Sequence, residues 1–375
     1  MSQRLRVLAL IKGLGPGGAE KLLVSGARVR DREAFDFEVA YLLPGKTQFA
    51  PDLEELGVRT RCFGVRNAQD PRWLLQLRRL LMSERYDIVH LHSPYVAGMA
   101  RLVIRTMPRS RRPKVISTEH NVWSSHTRAT RALNATTFPL GDAWLAVSDE
   151  VRASIPERLR RRVEVVVHGI VLADLATTAD ARASVRTELA IGPDEVVVAT
   201  VANFRAQKAY PDLLEAARLL ADRKVPVRFV IIGQGPLEAE VRSLRASLGL
   251  EHSVDLLGFR PDVLRILAGC DVFALASHYE GYPIAVMEAL AVGLPIVATA
   301  VGGVPDGVRD GVEGLLVPPK RPDMLAAAIE ALVRDPRRRA AMGAAAAERG
   351  RGYDIEHAVH RVEAISRDLG QPNAT

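Results

Sequence analysis

Short apolar runs alternate along the chain with longer segments of helical composition. The first run, 4–11, leads through a glycine-rich loop into a helical segment at 21–30, and the second run covers 37–43. Apolar runs that alternate with helices are typical of parallel sheets, whose strands are buried on both faces. The pattern therefore predicts an α/β fold. Further strands are predicted at 87–92, 114–121, 142–148, 163–170, 195–202, 227–232, 254–259, 271–275, 294–299 and 312–317, and further helices at 72–85, at 284–291 and beyond 322.

The alternation of strands and helices restarts near residue 195, which predicts two domains. A low-complexity stretch follows the strand at 163–170 and is interpreted as a linker. A chain of 375 residues is long enough for each domain to bury its own core. The predicted division is an N-terminal domain at 1–168, a linker at 169–183, a C-terminal domain at 184–350 and a C-terminal helix at 351–375.

The composition is that of a globular protein, with 48% hydrophobic and 25% charged residues. Cys62 and Cys270 lie far apart and show no metal-ligand spacing, which favours a reducing compartment. The N-terminus lacks the features of a signal peptide. The longest apolar stretch, 289–304, is interrupted by glycine and proline, so no membrane-spanning helix is expected. We therefore expect a cytoplasmic protein.

Charge is distributed unevenly between the two predicted domains. Residues 1–168 carry 28 basic and 17 acidic side chains, a net charge of +11, whereas the remainder carries 23 and 27, a net charge of −4. Basic runs stand at 109–114 and 158–162. These runs fit either a solvated surface or a patch for an anionic membrane or acceptor, with the protein peripheral at the inner face. Nucleic acid is not expected as a partner, because only 5% of residues are aromatic and no recognition motif is present.

The stretch 276–289, ASHYEGYPIAVMEA, carries the most informative chemistry. Glu280 falls in the loop between a predicted strand and helix, and Glu288 lies about 7.5 Å further along that helix. Carboxylates near a helix N-terminus accept hydrogen bonds from sugar hydroxyls. The backbone N–H groups of this helix end can hold an anion or a hydroxylated ring. The candidate binding group is completed by Gly281, Tyr282 and Pro283.

Two basic residues follow the strand at 195–202. Arg205 and Lys208 stand three residues apart at the predicted strand tip, where they can direct two cations into one crevice. A diphosphate requires such a pair, although a solvated pair at the start of a helix is the alternative. The chain has no D-x-D string, so we do not expect a metal held by aspartates, nor a cofactor. The glycines of the loop at 301–306 are expected to allow close backbone approach to a ligand.

Three histidines follow or occupy predicted strands of the N-terminal domain. His120 stands at the tip of the strand at 114–121, where ligands bind in open parallel sheets. His90 and His92 alternate with apolar residues, and we expect a structural role for both. A metal site would require further ligands that the sequence does not identify.

The loop after the first strand contains a glycine pattern of the dinucleotide-binding type. Gly13, Gly15 and Gly18 satisfy G-x-G-x-x-G. A dinucleotide-binding domain places an acidic residue after its second strand to hold a ribose. Here the strand at 37–43 runs into Pro44 and Gly45 without an acid. An NAD-dependent oxidoreductase is therefore retained only as an alternative function.

Seven strings occur in order along the chain: GGAE, DIVHLH, TEHN, NFRAQK, IIGQGP, EGYPIAVMEA and AVGGVPD. Together they resemble the retaining glycosyltransferases of family 4, also described as glycosyl transferases group 1. This resemblance covers nearly the whole chain. It implies the GT-B fold, in which two Rossmann-like domains face each other across a cleft. The N-terminal domain would bind the acceptor and the C-terminal domain the nucleotide-sugar donor.

The resemblance also implies a role for each candidate residue. Glu280 would contact the donor hexose, Glu288 the nucleotide ribose, and Arg205 with Lys208 the diphosphate. His120 would lie near the reacting sugar. The N-terminal loop with Gly17 and Gly18 would approach the donor phosphates, and the last helix would pack back on the N-terminal domain. The family usually has Asn-Gly-Val-Asp where this chain has residues 168–171, HGIV.

The implied reaction moves a hexose-type sugar from a nucleotide-diphosphate sugar to a hydroxyl, with retention of configuration and without a metal. A glycan, a lipid-linked saccharide or a small molecule would be the acceptor. The alternatives are the oxidoreductase, a nucleotide-sugar epimerase of the same fold, and a sugar-binding module without activity.

Overall fold

The computed structural model describes residues 4–178 and 180–370. Their strands are close to those predicted, because each is an apolar run. In chain order they are β1 (Leu5–Ile11), β2 (Phe35–Tyr41), β3 (Arg59–Cys62), β4 (Ile88–Leu91), β5 (Lys114–Glu119), β6 (Ala143–Ala146), β7 (Val163–Val165), β8 (Val196–Val201), β9 (Val227–Ile232), β10 (Val254–Gly258), β11 (Val272–Leu275), β12 (Ile296–Thr299) and β13 (Gly314–Val317).

Helices connect most successive strands. They are α1 (Gly18–Val29), α2 (Ala50–Glu55), α3 (Arg72–Ser83), α4 (Pro94–Arg105), α5 (Arg128–Thr137), α6 (Asp149–Ser154), α7 (Glu157–Arg160), α8 (Ala181–Glu188), α9 (Tyr210–Asp222), α10 (Glu238–Ser247), α11 (Val263–Ala268), α12 (Ile284–Val292), α13 (Val304–Gly307), α14 (Pro322–Arg334), α15 (Pro336–Gly350) and α16 (Ile355–Gly370). Ser148 caps helix α6, since its hydroxyl accepts a hydrogen bond from the Val151 N–H at 3.1 Å.

The strands form two parallel sheets. The seven-stranded sheet has the order β3-β2-β1-β4-β5-β6-β7, and the six-stranded sheet has the order β10-β9-β8-β11-β12-β13. In each sheet the strand order reverses once, between β1 and β4 and between β8 and β11. Ligands of doubly wound sheets bind beyond the carboxyl ends of the strands at such a reversal. The predicted α/β fold with two doubly wound sheets is thereby confirmed.

The first sheet is buried on both faces, as the alternate side chains of β1 show. Leu8 and Leu10 belong to one apolar cluster, whereas Val7, Ala9 and Ile11 belong to another. Successive side chains of a strand point to opposite faces, so this strand contributes to both clusters. The edge strand β3, with the sequence RTRC, was not predicted, because its alternating charges remove the apolar run on which strand prediction rests.

The chain divides into two compact units. The first unit runs to Gly169 and resumes at Ile355, and the second unit is Ile170–Asp354. Within the predicted linker at 169–183, Leu172–Thr178 forms a 3₁₀ helix and α8 starts at Ala181. Ala179 lies outside the described residues.

The C-terminal helix α16 belongs to the first unit and begins at Ile355, within the segment predicted at 351–375. Residues 371–375 of the predicted segment lie outside the described residues. Helix α16 packs on α1, where Glu363 accepts a hydrogen bond from the Asp31 N–H at 3.0 Å. Arg367 pairs with the Asp31 carboxylate at 2.9 Å, and Arg361 bonds to Glu164 at 2.8 Å. The chain end therefore completes the first unit.

Within the described residues, every helix is too short or too polar to cross a lipid bilayer.

Candidate functional site

Two loops of the second unit flank the reversal of strand order between β8 and β11. The loop after β8 contains a 3₁₀ turn, Ala206–Lys208, and the loop after β11 leads into α12. His278 joins them, since its backbone N–H donates to the Gln207 carbonyl at 2.8 Å. The His278 ring also bonds to the Asp212 carboxylate of α9 at 2.9 Å. The two loops therefore form one connected surface.

A buried ion pair lies between these loops. The Lys208 ammonium donates to Glu280 Oε1 at 2.5 Å, and the Ser277 hydroxyl donates to the same oxygen at 2.5 Å. Glu280 is buried, and the Lys208 side chain is only 16% exposed. Thr299 fixes the loop by donating to the Ser277 carbonyl at 2.6 Å. Glu280 is thus held in one orientation by groups from three strand ends.

Arg205 differs from Lys208 in its surroundings. Its side chain is exposed and makes no hydrogen bond or ion pair with any residue that the structure describes. Ala209, directly after Lys208, has left-handed backbone angles of φ +48° and ψ +48°. A non-glycine residue in this conformation is strained, and such strain concentrates at functional sites. The turn holds Lys208 against Glu280 and leaves the Arg205 guanidinium at the surface, where it can meet an anion.

Glu288 is buried within α12, a helix whose neighbouring side chains Val286, Met287 and Leu290 are also buried. The alternative that Glu288 is a solvated helix residue is therefore wrong. Helix α12 begins at Ile284, as predicted, and Pro283 with its extended ψ of 117° is the residue before it.

The glycines of the loop at 301–306 pack against the chain itself. A Cβ at Gly302, which has φ +59°, would lie 2.3 Å from the Glu280 carbonyl oxygen. The Gly303 N–H donates to the Gly281 carbonyl at 2.6 Å. Close approach of these glycines to a ligand stays a prediction. They let this loop support the backbone of Glu280 and Gly281.

The glycine turn after β9 supports the neighbouring loop in the same way. A Cβ at Gly235 would lie 2.5 Å from the Phe204 carbonyl oxygen, and one at Gly233 would lie 2.0 Å from the Ala202 carbonyl oxygen. The Phe204 N–H donates to the Gln234 carbonyl at 3.1 Å. The string IIGQGP therefore fixes the base of the loop that carries Arg205 and Lys208.

Tyr282 anchors the loop with its side chain. Its hydroxyl and that of Tyr353 are 2.5 Å apart, and both residues are buried. Burial raises the pKa of Tyr282, so this hydroxyl stays protonated. The Tyr282 hydroxyl is therefore engaged within the second unit.

Three histidines lie together at the carboxyl ends of β4 and β5 in the first unit. His92 Nδ1 is 3.2 Å from His120 Nε2, and the rings of His90 and His92 are 4.1 Å apart. Burial lowers the pKa of His90 to about 3 and that of His120 to about 4, and it lowers the pKa of His92 well below 6.5. All three imidazoles are therefore neutral at pH 7. No group of three metal-ligating side chains suited to an ion occurs in the described part of the chain.

The N-terminal loop holds the remaining candidates. Gly17 caps α1 and donates its N–H to the Gly15 carbonyl at 2.8 Å, and Gly18 is the first residue of α1. Strand β2 ends at Tyr41, and the next residue, Leu42, is a buried core residue. No carboxylate therefore occupies the place where a dinucleotide-binding domain holds its ribose. This argues against the oxidoreductase alternative.

The structure thus joins Lys208 to Glu280 in the second unit and His120 to His92 in the first. Sequence reasoning missed Ser277, Thr299 and the His92 contact. Ser277 stands three residues before Glu280 and could have been chosen as a hydrogen-bonding neighbour. The contact between His92 and His120 depends on the pairing of β4 with β5, which the sequence pattern does not specify.

Comparison with known proteins matches both halves of the chain to family models. Residues 16–174 match the model described as Glycosyltransferase Family 4, and residues 182–349 match Glycosyl transferases group 1. A D-inositol 3-phosphate glycosyltransferase from Mycolicibacterium gilvum (strain PYR-GCK) is 36% identical over 53% of this chain and 45% of its own length. The chain spans less than half the length of the first curated relatives that it matches, 45%, 37% and 34%.

Other relatives match over most of the chain at lower identity. An Escherichia coli enzyme, UDP-Gal:alpha-D-GlcNAc-diphosphoundecaprenol alpha-1,3-galactosyltransferase, is 26% identical over 80% of both chains. The crystal structure of Anabaena HepE in complex with UDP and glucose superposes with a TM-score of 0.84 at 19% identity, covering 97% of this chain and 100% of the other. A sucrose-phosphate synthase from Thermosynechococcus elongatus superposes with a TM-score of 0.81 at 18% identity, covering 98% of this chain and 99% of the other. These neighbours share the GT-B fold.

Proposed function

The chain belongs to the glycosyltransferases of family 4 and group 1, and from this premise we propose that it transfers a hexose from a nucleotide-diphosphate sugar to a hydroxyl. One observation carries this proposal beyond family membership. The buried carboxylate of Glu280 lies against the Lys208 ammonium at the strand-order reversal of the second unit. A fixed acceptor beside a fixed cation suits a ligand that joins sugar hydroxyls to phosphates.

Each candidate residue takes one part of the proposed reaction. Glu280 and the backbone of Gly281, Tyr282 and Pro283 orient the hexose, and Glu288 holds the ribose. Arg205 and Lys208 stabilise negative charge on the departing diphosphate, so that no metal or cofactor is needed. Gly17 and Gly18 approach the phosphates through the backbone. Retention of configuration follows from family resemblance, and the stereochemistry of the product is read directly by NMR.

The relatives suggest the classes of donor and acceptor. The E. coli enzyme named above acts with UDP-Gal on a diphosphoundecaprenol-linked sugar, and other relatives are named for colanic acid and amylovoran biosynthesis. By analogy we propose a UDP-hexose as the donor and a growing, lipid-linked glycan as the acceptor. The proposed role is thus in polysaccharide biosynthesis.

A thermal-shift panel of UDP-, GDP- and ADP-hexoses tests the proposal. A ligand at 100 times its Kd stabilises the native state by about 2.7 kcal/mol, which raises Tm by roughly 5 to 10 °C for a unit of this size. A UDP-hexose should produce this shift, and the purified enzyme should then glycosylate an acceptor hydroxyl. No shift with any sugar nucleotide would refute the proposal. Conversion of the donor to its epimer without an acceptor would favour the epimerase instead.

Glu288→Ala should weaken donor binding about 10- to 100-fold, because hydrogen bonds to a charged group contribute about 1.5–3 kcal/mol each. Isothermal calorimetry measures the affinity. The control is Glu215→Ala, which removes an exposed carboxylate from helix α9. Unchanged affinity in a folded Glu288 variant would remove this residue from the site.

The first unit is proposed to bind anionic lipid surfaces. Arg109, Arg158, Arg161 and Arg162 are exposed members of the two basic runs, in a unit whose charge exceeds that of the rest of the chain. Binding to vesicles that contain phosphatidylserine should weaken as salt rises, since the screening length falls from about 10 Å at 0.1 M to about 3 Å at 1 M. Co-sedimentation measures the bound fraction.

A matched pair of charge reversals isolates this surface. Arg158→Glu with Arg161→Glu should weaken vesicle binding by at least about tenfold, since each basic residue near the surface contributes about 1 kcal/mol. Arg337→Glu with Arg338→Glu makes the same change of charge at exposed positions of the second unit and should have a much smaller effect. Equal losses from both pairs, or binding that does not depend on anionic lipid, would exclude a membrane surface on the first unit.

A further inference from the structure

The contact between His92 and His120 joins two ring nitrogens, and one of them must carry the hydrogen. Both imidazoles are neutral at pH 7, so each ring has one N–H. His92 Nε2 is enclosed and has no hydrogen-bond partner among the described residues. His120 Nδ1 likewise makes no hydrogen bond to that part of the chain, but the His120 ring is only partly buried. The two rings therefore have two ways to share one hydrogen bond.

The enclosed nitrogen of His92 decides between these two arrangements. If His120 donated from Nε2, His92 Nδ1 would accept, and His92 would carry its own hydrogen on the enclosed Nε2. That N–H would have no acceptor, and buried N–H groups without a partner are the rarest unsatisfied groups in proteins. If His92 donates from Nδ1, its Nε2 is unprotonated and no N–H is orphaned. His120 then accepts at Nε2 and carries its hydrogen on Nδ1.

The neighbouring ring keeps His92 in place. His90 packs against His92, and His90 Nε2 bonds to the Thr118 hydroxyl at 2.7 Å on the adjacent strand. The Arg30 guanidinium is close enough to lower the pKa of both His90 and His92. The backbone N–H of His92 donates to the Leu10 carbonyl at 3.0 Å. His92 is therefore anchored by β1 and β5, and it can impose its geometry on His120.

We propose that His92 is a positioning residue of the transfer reaction, which donates its Nδ1–H to His120 Nε2 and so presents His120 Nδ1–H as a hydrogen-bond donor to the sugar. The donation from His120 to the sugar rests on the proposed function. His120 then acts as a fixed donor to a sugar hydroxyl or ring oxygen, and not as a base. His90, by contrast, is engaged with Thr118 and does not contact His120 through a hydrogen bond.

Two variants of equal size separate the donor role from mere packing. His92→Asn places an amide N–H near the position of Nδ1 and can still donate to His120. His92→Asp places a carboxylate there, which only accepts and therefore forces His120 to carry its hydrogen on Nε2. We expect kcat of the Asn variant to fall less than about tenfold. We expect the Asp variant to fall about 10²- to 10³-fold, the loss typical of one preorganised donor.

The tautomer is read directly by long-range ¹H–¹⁵N NMR of the protein labelled at histidine. Wild-type His120 should be unprotonated at Nε2 and protonated at Nδ1, and His92→Asp should reverse this. The His92 and His120 signals are assigned from their absence in the single variants. A wild-type His120 protonated at Nε2 would overturn the proposal without reference to activity. The NMR measurement on the wild type is therefore decisive even if the Asp variant does not fold.

Kinetics and binding complete the test. The affinity for the nucleoside diphosphate that the thermal-shift panel identifies should be unchanged in both variants, because His120 is proposed to contact only the sugar. His360→Asn, an exposed substitution on α16, is the matched control and should leave turnover unchanged. Equal rates for the Asn and Asp variants would overturn the positioning role. Absence of turnover in the wild type would refute the proposed function, whereas the tautomer would still decide the contact between the histidines.

Discussion

Lys208→Ala is expected to lower kcat by about 10²- to 10³-fold, the loss found when one preorganised charge-stabilising group is removed. The proposed reason is that the diphosphate gains negative charge as its bond to the sugar breaks. A fixed cation then stabilises the transition state more than the ground state. The structure adds a second effect. Glu280 would remain buried without its ion-pair partner. Of the two side chains that donate to its Oε1, Ser277 would remain.

The loss of the partner should also destabilise the second unit, by about 3 kcal/mol, the lower end of the range for breaking a buried pair. Arg205→Ala provides the contrast. Because the Arg205 side chain is exposed and has no partner among the described residues, its removal should reduce kcat with little change in stability. The two cations are thus distinguishable by urea denaturation, although both substitutions slow the reaction.

Steady-state kinetics and denaturation are measured together on these variants. Lys224→Ala is the control, since Lys224 is exposed and precedes β9, at the opposite edge of the sheet from Lys208. It should change neither quantity. If EDTA abolishes wild-type activity and Mg²⁺ restores it, a metal stabilises the diphosphate. The role proposed for Arg205 and Lys208 would then be wrong.

Gly302→Ala is expected to destabilise the second unit by about 2 to 5 kcal/mol and to weaken donor binding. Left-handed backbone angles cost an alanine about 1–2 kcal/mol, and forced close contacts cost about 1–3 kcal/mol more. The close contact here is with the Glu280 carbonyl, 2.3 Å from the added Cβ. Relief of this contact must move the backbone of Glu280 and Gly281, which are proposed to hold the hexose.

Gly311→Ala separates the two costs. Gly311 has φ +79°, but its added Cβ would meet no atom within 4 Å. This control should therefore show only the cost of the left-handed backbone, about 1–2 kcal/mol, with donor affinity unchanged. Denaturation gives the stabilities and calorimetry gives the affinities. If both variants bind the donor equally well, the loop at 301–306 does not position Glu280.

Much of the fold was predictable because apolar runs with short polar interruptions specify buried parallel strands. Strand β9 was predicted at its observed bounds, 227–232, and β5 and β11 differ from prediction by one or two residues at an end. The errors have the same physical cause. Strand β3 and the 3₁₀ helix at Leu172–Thr178 bury few apolar residues, so their conformation is set by neighbouring elements and not by their own pattern.

The sequence by itself determined which residues stand at strand ends and which chemistry they bring. Arg205, Lys208, Glu280 and His120 could be chosen because each follows an apolar run that ends at the ligand-binding edge of a parallel sheet. These positions are set by short stretches of sequence, so they can be recognised without knowing how the strands pair.

Only the tertiary structure decided which of these groups touch. The Lys208 ammonium meets Glu280, 72 residues away, because β8 and β11 are adjacent at the strand-order reversal. His92 meets His120 because β4 pairs with β5, and the glycines at 302 and 303 pack against the backbone of Glu280 and Gly281. Such contacts join residues that are distant in sequence. They depend on strand order and register, which hydrophobic periodicity does not encode.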